Sequence, residues 1–330
     1  MYKLPPSSLL SITGPTGTGK TAIAARLATA WLEAGLSVAI ISLDSRQVYQ
    51  EFPTLSVADL EIWADLGQKY GERLRVYNLG SLQLHEDWSF GVLLNSAREQ
   101  IQRSLEEKRQ IIAVGGTCVC HQRLLQTQGD FTSIPPDDNV RFAAENMSVS
   151  ELQSWLKKID ESTFLSMNPS DSANPRRLVR KIEIVLAHKL QLPKPDEQAL
   201  SQLTQYWCLP LVEPAKLRAH LGKRIQTRFR DPRCRQEVHS VLTTWPEILD
   251  TPKLLSRTPL GFVQLAHLER GEWSEQQALD DWNLAEWHYA RHQLTWSKKL
   301  RADHHTYLID QRELFPDETP VGFGDIGGIN

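Results

Sequence analysis

Three continuous apolar segments, rich in β-branched residues, lie in the first third of the chain, at residues 8–13, 37–43 and 111–114. Stretches with helical spacing of apolar residues separate them. Apolar runs of this length are typical of parallel strands that are buried on both faces. The pattern therefore predicts an α/β fold with a parallel sheet flanked by helices. Ligands of such sheets bind beyond the carboxyl ends of the strands, so the residues after each segment are the first candidates for a functional site.

The pattern changes after the third segment and divides the chain into four parts. Residues 1–134 are predicted to form the core, and residues 135–173 a small helical insertion. Residues 174–303 are predicted to return to the core through a long basic helix and one more strand, near residues 207–212, and then to continue as helices. Residues 304–330 end in a glycine-rich stretch, for which we expect a flexible tail.

The composition is that of an ordinary water-soluble chain. The 330 residues carry 37 Lys and Arg against 40 Asp and Glu, which gives a formal net charge of −3. No apolar run of 18 residues and no signal-peptide pattern is present, so we expect a cytoplasmic protein without a membrane segment. The four cysteines lack the spacing of a zinc site, which favours reduced, buried thiols. We expect a monomer.

The first apolar segment leads into GPTGTGKT, residues 14–21, which fits G-x-x-x-x-G-K-[ST] at every defined position. Glycines let backbone N–H groups point into one concavity, and the start of the following helix adds its positive dipole end. Lys20 is expected to reach the outer phosphate, and the Thr21 hydroxyl to hold Mg²⁺. The core is therefore predicted to resemble P-loop NTPases. The predicted phosphate-binding residues are Gly14, Thr16, Gly17, Thr18, Gly19, Lys20 and Thr21.

Asp44 follows the second apolar segment and opens the stretch DSRQVY. It could hold Mg²⁺ through water, act as a general base beside the loop, or cap a helix. In the same stretch, Gln47 and Tyr49 carry amide and aromatic groups that suit recognition of a planar base. Thr117 follows two glycines at the end of the third segment. Its hydroxyl could donate to a phosphate or leaving oxygen, although a simple turn explains it equally well.

Basic side chains form three groups despite the acidic total. They lie at residues 176–181, at residues 218–235 and at residues 291–301, and Trp287 and Trp296 lie beside and within the last group. Each group alone is typical of a solvated helix face. Together with the aromatic residues they favour a surface for nucleic acid.

The motifs GPTGTGKT, LDSRQVY, VGGT and NPRRLVRKIEI resemble, in order and spacing, those of the tRNA dimethylallyltransferase family. In the C-terminal half, residues 218–229 resemble that family's R…RI..RF segment. Leu260-Gly261-Phe262 stands where the family has Ile-Gly-Tyr, and residues 289–296 resemble one of its closing helices. The likeness covers roughly residues 8–301.

This resemblance implies that the phosphate is the diphosphate of dimethylallyl diphosphate, and that the prenyl group passes to N6 of adenine 37 in the anticodon loop of tRNA. Asp44 would then take the N6 proton, and Mg²⁺ would be the cofactor. The insertion would be a candidate for RNA binding, and the target base would leave its stack to enter the pocket. The implied catalytic residues are Asp44, Thr117, Arg224 and Arg228. The implied base and tRNA contacts are Ser45, Gln47, Tyr49, Arg176, Arg177, Arg180, Arg291 and Gln293.

The chain departs from the family pattern in two segments near the predicted site. Cys118-Val119-Cys120 stands where the family has Gly-Leu-Tyr, and residues 50–55 stand where the family has a stretch like Gly-Met-Asp-Ile-Gly-Thr-Ala-Lys-Pro. Three alternatives therefore stay open beside transfer to tRNA. The chain could prenylate free AMP, ADP or ATP, it could be another P-loop kinase of small molecules, or it could bind RNA or nucleotide with impaired catalysis.

Overall fold

The computed structural model describes residues 3–86, 88–126, 134, 136–189, 200, 202–302 and 307–308. Six strands of this part of the chain form one sheet in the order β3-β2-β4-β1-β5-β6, and every pairing is parallel. The strands are β1 (Ser8–Thr13), β2 (Val38–Ser42), β3 (Leu74–Tyr77), β4 (Gln110–Gly115), β5 (Thr204–Cys208) and β6 (Tyr307–Leu308). The predicted α/β fold is confirmed.

The three apolar segments form adjacent strands because both of their faces are covered. Every residue of β1 and β2 is buried. Their partner is β4, which lies between them, with Leu10 opposite Ile112 and Ile40 also opposite Ile112. The carboxyl ends of β2, β4 and β1 therefore meet at one edge of the sheet. The strand expected near residues 207–212 is β5, which begins and ends earlier.

Helices follow the strands along the chain, and the first four pack on the sheet. In the first half of the chain they are α1 (Lys20–Glu33), α2 (Leu60–Tyr70), α3 (Phe90–Glu106) and α4 (Cys118–Arg123). Next come α5 (Asp138–Ala144), α6 (Val149–Ile159), α7 (Glu161–Leu165), α8 (Pro169–Ser172) and α9 (Pro175–Lys189). The C-terminal helices are α10 (Pro214–Arg230), α11 (Pro232–Thr244), α12 (Pro252–Leu255), α13 (Phe262–Glu269) and α14 (Glu275–Ala302), with short 3₁₀ turns at Gly71–Arg73 and Ile248–Asp250. None of the described helices has both the length and the apolarity that crossing a bilayer requires.

The chain divides into two compact units. One comprises Met1–Leu125 with Gln202–Asn330, and the other comprises Gln126–Ser201. The second unit has its own apolar core, in which Leu152 and Leu156 of α6 pack with Leu178 and Ile182 of α9. Because the apolar face of α9 is used in this core, the unit extends beyond the insertion expected at residues 135–173. Of the predicted tail, Tyr307 and Leu308 form β6, and the rest lies outside the described residues.

The C-terminal helices pack around the segment that follows β2. Phe52 and Phe262 meet edge to face, with ring centroids 5.4 Å apart. Tyr49, Ile225 and Trp282 belong to the same buried cluster. This cluster holds α10 and α14 against the first unit's loops at the carboxyl edge of the sheet.

Replacing Gly261 with Ala is expected to destabilise the fold. The residue has φ of +98°, and a Cβ there would lie 2.1 Å from the buried Trp282 ring. Left-handed strain and overpacking together predict a loss of about 2–5 kcal/mol, measured as the free energy of unfolding in urea. Gly271→Ala is the matched control, because Gly271 has φ of +71° with open space around it. Equal losses in the two variants would show that packing against Trp282 is unimportant.

Candidate active site

A cavity of about 520 Å³ lies in the first unit at the carboxyl edge of the sheet. The loops after β1, β2 and β4 line it because these strands are neighbours. Residues 55–59 and side chains of α10 and α14 complete the lining. Its volume is in the range of cavities that bind small molecules.

The phosphate loop has the conformation that its glycines allow. Gly17 and Gly19 have φ of +74° and +76°, and α1 begins at Lys20. The Lys20 Nζ donates to the carbonyl oxygen of Pro15 at 2.7 Å, so the side chain folds back over the loop. Burial lowers the pKa of Lys20 to about 8, although the nearby Asp44 charge acts in the opposite direction. The Lys20 ammonium is therefore charged at neutral pH, although burial removes part of its hydration shell.

The seven predicted phosphate-binding residues have two different roles in the loop. Residues that line the cavity are Thr16, Gly17, Gly19, Lys20 and Thr21. The Thr18 hydroxyl instead donates to the Pro15 carbonyl at 2.8 Å, and Gly14 packs beside Pro210 and Ser297. Thr18 and Gly14 thus shape the loop.

Asp44 lines the cavity two residues beyond the end of β2. Its Oδ1 accepts a hydrogen bond from the Arg46 N–H at 2.9 Å, and residues 45–48 form turns, so capping a helix is not its role. The glycines after β4 allow this placement. A Cβ on Gly115 would lie 2.2 Å from the Leu43 carbonyl oxygen, and one on Gly116 would lie 3.3 Å from the Asp44 Oδ2.

Arg224 and Arg228 reach the cavity from α10. The Arg224 Nη1 donates to the Thr16 hydroxyl at 3.2 Å. Desolvation and the neighbouring Arg228 lower the pKa of Arg224. Arg228 forms an ion pair with the buried Glu286 at 2.9 Å and lies over the Trp282 ring at 4.9 Å. Arg224 is thus the arginine with charge directed at the phosphate loop, while Glu286 balances the charge of Arg228.

Cavity residues with titratable side chains that the sequence pattern did not predict include Asp59, His220, Glu286 and Tyr289. Burial raises the pKa of the Asp59 carboxyl, while the Arg224 charge and the nearby Thr21 hydroxyl act in the opposite direction. Burial and the Asp44 charge raise the pKa of the Tyr289 hydroxyl. Glu286 and Tyr289 precede Gln293 by seven and four residues, so helical spacing from that predicted residue could have found both. Asp59 gave no such signal, because it lies in a segment without periodic pattern.

Of the predicted base contacts, Tyr49 lies in the interior, and Ser45, Gln47 and Gln293 line the cavity. Ser45 and Gln47 line the cavity, and the Gln47 Nε2 donates to the Val57 carbonyl at 2.7 Å. Tyr49 is only 1% exposed and packs in the apolar core, which corrects the expectation that it contacts a base. Gln293 is buried and also lines the cavity. Its Oε1 accepts from the Thr16 N–H at 2.8 Å and its Nε2 donates to the Gly116 carbonyl at 2.9 Å, so it joins two loops at the cavity wall.

Thr117 and the altered segment after it lie beside the cavity wall. Thr117 is half-buried at the start of α4, and its N–H donates to the Leu43 carbonyl at 3.2 Å. Gly115 and Gly116 line the cavity and Thr117 follows them directly, so its role as a hydroxyl donor to phosphate stays a prediction. Cys118 and Cys120 are buried, and burial raises the pKa of both thiols. The departure from the family pattern is therefore a change of packing behind the site.

The predicted basic contacts are divided between the two units. Arg176 and Arg177 are exposed on α9 in the second unit, where Arg177 pairs with Asp171. Arg180 pairs with the buried Glu183 at 2.6 Å and therefore stabilises that unit. Arg291 is exposed on α14 in the first unit. The two interleaved tryptophans already have cations over their rings, Arg218 over Trp287 and Lys299 over Trp296, both at 5.5 Å.

One wall of the cavity is apolar. It is formed by side chains of the strands and of α2, namely Ile40, Ile62, Trp63, Val76 and Val114. The phosphate loop and Asp44 line the same cavity. The site thus offers positive charge, a carboxylate and an apolar surface within one volume.

Known proteins are similar to this chain in sequence and in fold. The family model described as IPP transferase matches residues 64–300. The chain is 28% identical over 312 residues to the tRNA dimethylallyltransferase of Phenylobacterium zucineum (strain HLK1), which covers 89% of this chain and 92% of that protein. It is 27% identical over 308 residues to the tRNA dimethylallyltransferase of Beijerinckia indica subsp. indica, with 93% and 97% covered.

Two solved structures resemble the fold. The tRNA isopentenylpyrophosphate transferase from Bacillus halodurans has a TM-score of 0.54 at 22% identity, over 92% of this chain and 90% of that one. A eukaryotic dimethylallyltransferase, described as acting on tRNA, has a TM-score of 0.68 at 16% identity, over 92% of this chain and 74% of that one.

Proposed function

The chain belongs to the IPP transferase family, and from this premise we propose that it transfers a dimethylallyl group from dimethylallyl diphosphate to N6 of adenine 37 in tRNA. One observation carries the proposal. The phosphate loop, the Asp44 carboxylate and an apolar wall line the same cavity. A prenyl diphosphate needs the first and the third of these features, and an amine acceptor needs the second.

The diphosphate would bind at the N-terminus of α1. Backbone N–H groups of the loop, the Lys20 ammonium and the Arg224 guanidinium supply positive charge there. The Thr21 hydroxyl and the carboxylate oxygens around it are hard donors of the type that Mg²⁺ prefers, so the site fits this metal. Bound Mg²⁺ would neutralise charge on the leaving diphosphate. The role of Lys20, Arg224 and the loop amides is to hold that charge as the carbon–oxygen bond breaks.

Asp44 would act as the general base. As the adenine N6 attacks the allylic carbon, a C–N bond forms, the C–O bond to diphosphate breaks, and the N6 proton passes to the Asp44 carboxylate. Tyr289 lies near this carboxylate and keeps its hydroxyl proton because its pKa is raised. The five-carbon chain would pack against the apolar wall at Ile40, Val76 and Val114, where burial of its methylenes favours binding.

We further propose a monomer that meets tRNA in the cytoplasm. The exposed Arg176, Arg177 and Arg291 are suited to the phosphate backbone, and Ser45 and Gln47 to the flipped base at the cavity. A kinase or an enzyme of free nucleotides would have less use for these basic surfaces. The direct test is incubation with labelled dimethylallyl diphosphate and either tRNA, AMP, ADP or ATP. We expect label in tRNA, and label in a free nucleotide with none in tRNA would contradict the proposal.

The lowered pKa of Lys20 gives diphosphate binding a distinctive pH dependence. The charged amine is required, and it is lost as the pH rises through about 8. The phosphate protons of a prenyl diphosphate are gone at that pH, since the last ionisation has a pKa of about 6. We therefore expect the affinity for an unreactive analogue to fall up to about tenfold per pH unit above pH 8, measured by calorimetry. A flat affinity between pH 7 and pH 10 would contradict the assignment of Lys20.

A further inference from the structure

Asp59 directly precedes α2, where an aspartate side chain usually caps the helix, yet the Asp59 side chain does not cap it. It is the N-cap residue of α2, and its side chain makes no capping hydrogen bond. An N-cap side chain normally contributes about 1 kcal/mol by accepting from the first turn. Its backbone has φ of +51° and ψ of +39°, a left-handed conformation that is uncommon outside glycine. The surrounding structure thus holds this carboxylate away from its own helix.

The Asp59 side chain shares the cavity with the phosphate loop. Asp59 lines it together with Lys20, Thr21 and Arg224, and the effect of burial, which raises the pKa of its carboxyl, is opposed by the Arg224 charge and the Thr21 hydroxyl. The loop before it is fixed on both sides. Gln47 donates to the Val57 carbonyl at 2.7 Å, and the half-buried Glu237 carboxylate accepts from the N–H groups of Thr54 and Leu55 at 2.8 and 2.9 Å.

We propose that the Asp59 carboxylate is a ligand of the Mg²⁺ ion that accompanies the diphosphate, together with the Thr21 hydroxyl. The proposal rests on the diphosphate site described under the proposed function. Mg²⁺ is bound in proteins by one or two carboxylates plus substrate phosphates, and Asp59 supplies the carboxylate beside the phosphate-loop hydroxyl. This leaves Asp44, which is hydrogen-bonded to the Arg46 N–H, for proton transfer.

A carboxylate at this position has opposite effects on diphosphate binding with and without the metal. With Mg²⁺ present it binds the ion, which in turn binds the phosphates. Without Mg²⁺ it places a negative charge next to an incoming anion, and the two repel. Asp59 therefore makes diphosphate binding strongly dependent on the metal.

The test compares the affinity for an unreactive dimethylallyl diphosphate analogue in Mg²⁺ and in EDTA, for the wild type and Asp59→Asn. Asn tolerates the left-handed backbone and keeps nearly the same shape, so the variant should fold, which circular dichroism checks. We expect affinity in Mg²⁺ to fall and affinity in EDTA to rise, so that their ratio drops at least about tenfold. Glu61→Gln removes an exposed carboxylate two residues away and should keep the wild-type ratio.

The outcomes separate this proposal from the proposed function. A wild type that binds the analogue in neither condition overturns the diphosphate site itself. A wild type that binds it, with the same ratio in Asp59→Asn, overturns only the assignment of Asp59. A variant with equally reduced affinity in Mg²⁺ and EDTA shows a structural role and also overturns the assignment.

Discussion

Asp44→Asn is expected to slow prenyl transfer by about 10²–10⁴-fold, the usual effect of removing a positioned general base. The amide has nearly the same shape, and its oxygen can still accept from the Arg46 N–H as the Asp44 Oδ1 does at 2.9 Å. The turn after β2 should therefore persist. What the amide cannot do is take the N6 proton as nitrogen attacks the allylic carbon. The measurement is single-turnover transfer to tRNA with saturating dimethylallyl diphosphate.

The control for this variant is Asp65→Asn, which makes the same chemical change at an exposed position of α2. It should transfer at the wild-type rate. Analogue affinity should change little in Asp44→Asn, because the diphosphate contacts of Lys20 and Arg224 remain. Equal transfer rates for the wild type and Asp44→Asn would refute the role of Asp44 as base.

Lys20→Met is expected to have the second largest effect. Methionine keeps an unbranched side chain that is only one atom shorter, and it removes a buried charge, so the fold should not lose stability through desolvation. The lost ammonium would have made a charge-assisted hydrogen bond to phosphate, a contact that contributes about 1.5–3 kcal/mol. We expect analogue affinity to fall about 10–100-fold by that estimate, and transfer to fall further, because charge on the leaving group grows in the transition state.

Lys69→Met is the matched control, because Lys69 lies exposed on α2 and pairs with Glu33 at 3.7 Å. It should bind the analogue and transfer the prenyl group at wild-type levels. If Lys20→Met retains wild-type affinity for the analogue while Asp44→Asn is inactive, the loop does not hold the diphosphate and the orientation of substrate in the cavity is wrong.

The sheet was predictable because its signal is local. Continuous apolar runs specify strands buried on both faces, and a glycine-rich stretch between strand and helix specifies the phosphate loop. Asp44 followed from its place after β2. These inferences needed only the neighbouring residues and the rule that parallel strands share a carboxyl edge.

The burial of Tyr49 and Gln293 could not be predicted from neighbouring residues in this way. Tyr49 is buried by residues of α10, α13 and α14 that lie more than 170 positions later in the chain. Gln293 lies on the same buried face of α14 as Trp282, Glu286 and Ala290. Because Glu286 and Gln293 are polar, the sequence shows no apolar periodicity that would identify this face as buried. Both results are tertiary effects, in which distant helices decide what a local motif can contact. The place of Asp59 in the cavity could not be predicted for a related reason, because its left-handed backbone depends on contacts made by the loop before it.

The most direct measurement of the central claim uses two tRNA transcripts that differ at one position. One has adenine at position 37, and the other has guanine, which has no N6 amine. With labelled dimethylallyl diphosphate and Mg²⁺, the wild type should label the adenine transcript and leave the guanine transcript unlabelled, and Asp44→Asn should label neither at a comparable rate. Equal labelling of both transcripts, or labelling of AMP with neither transcript labelled, would contradict the account.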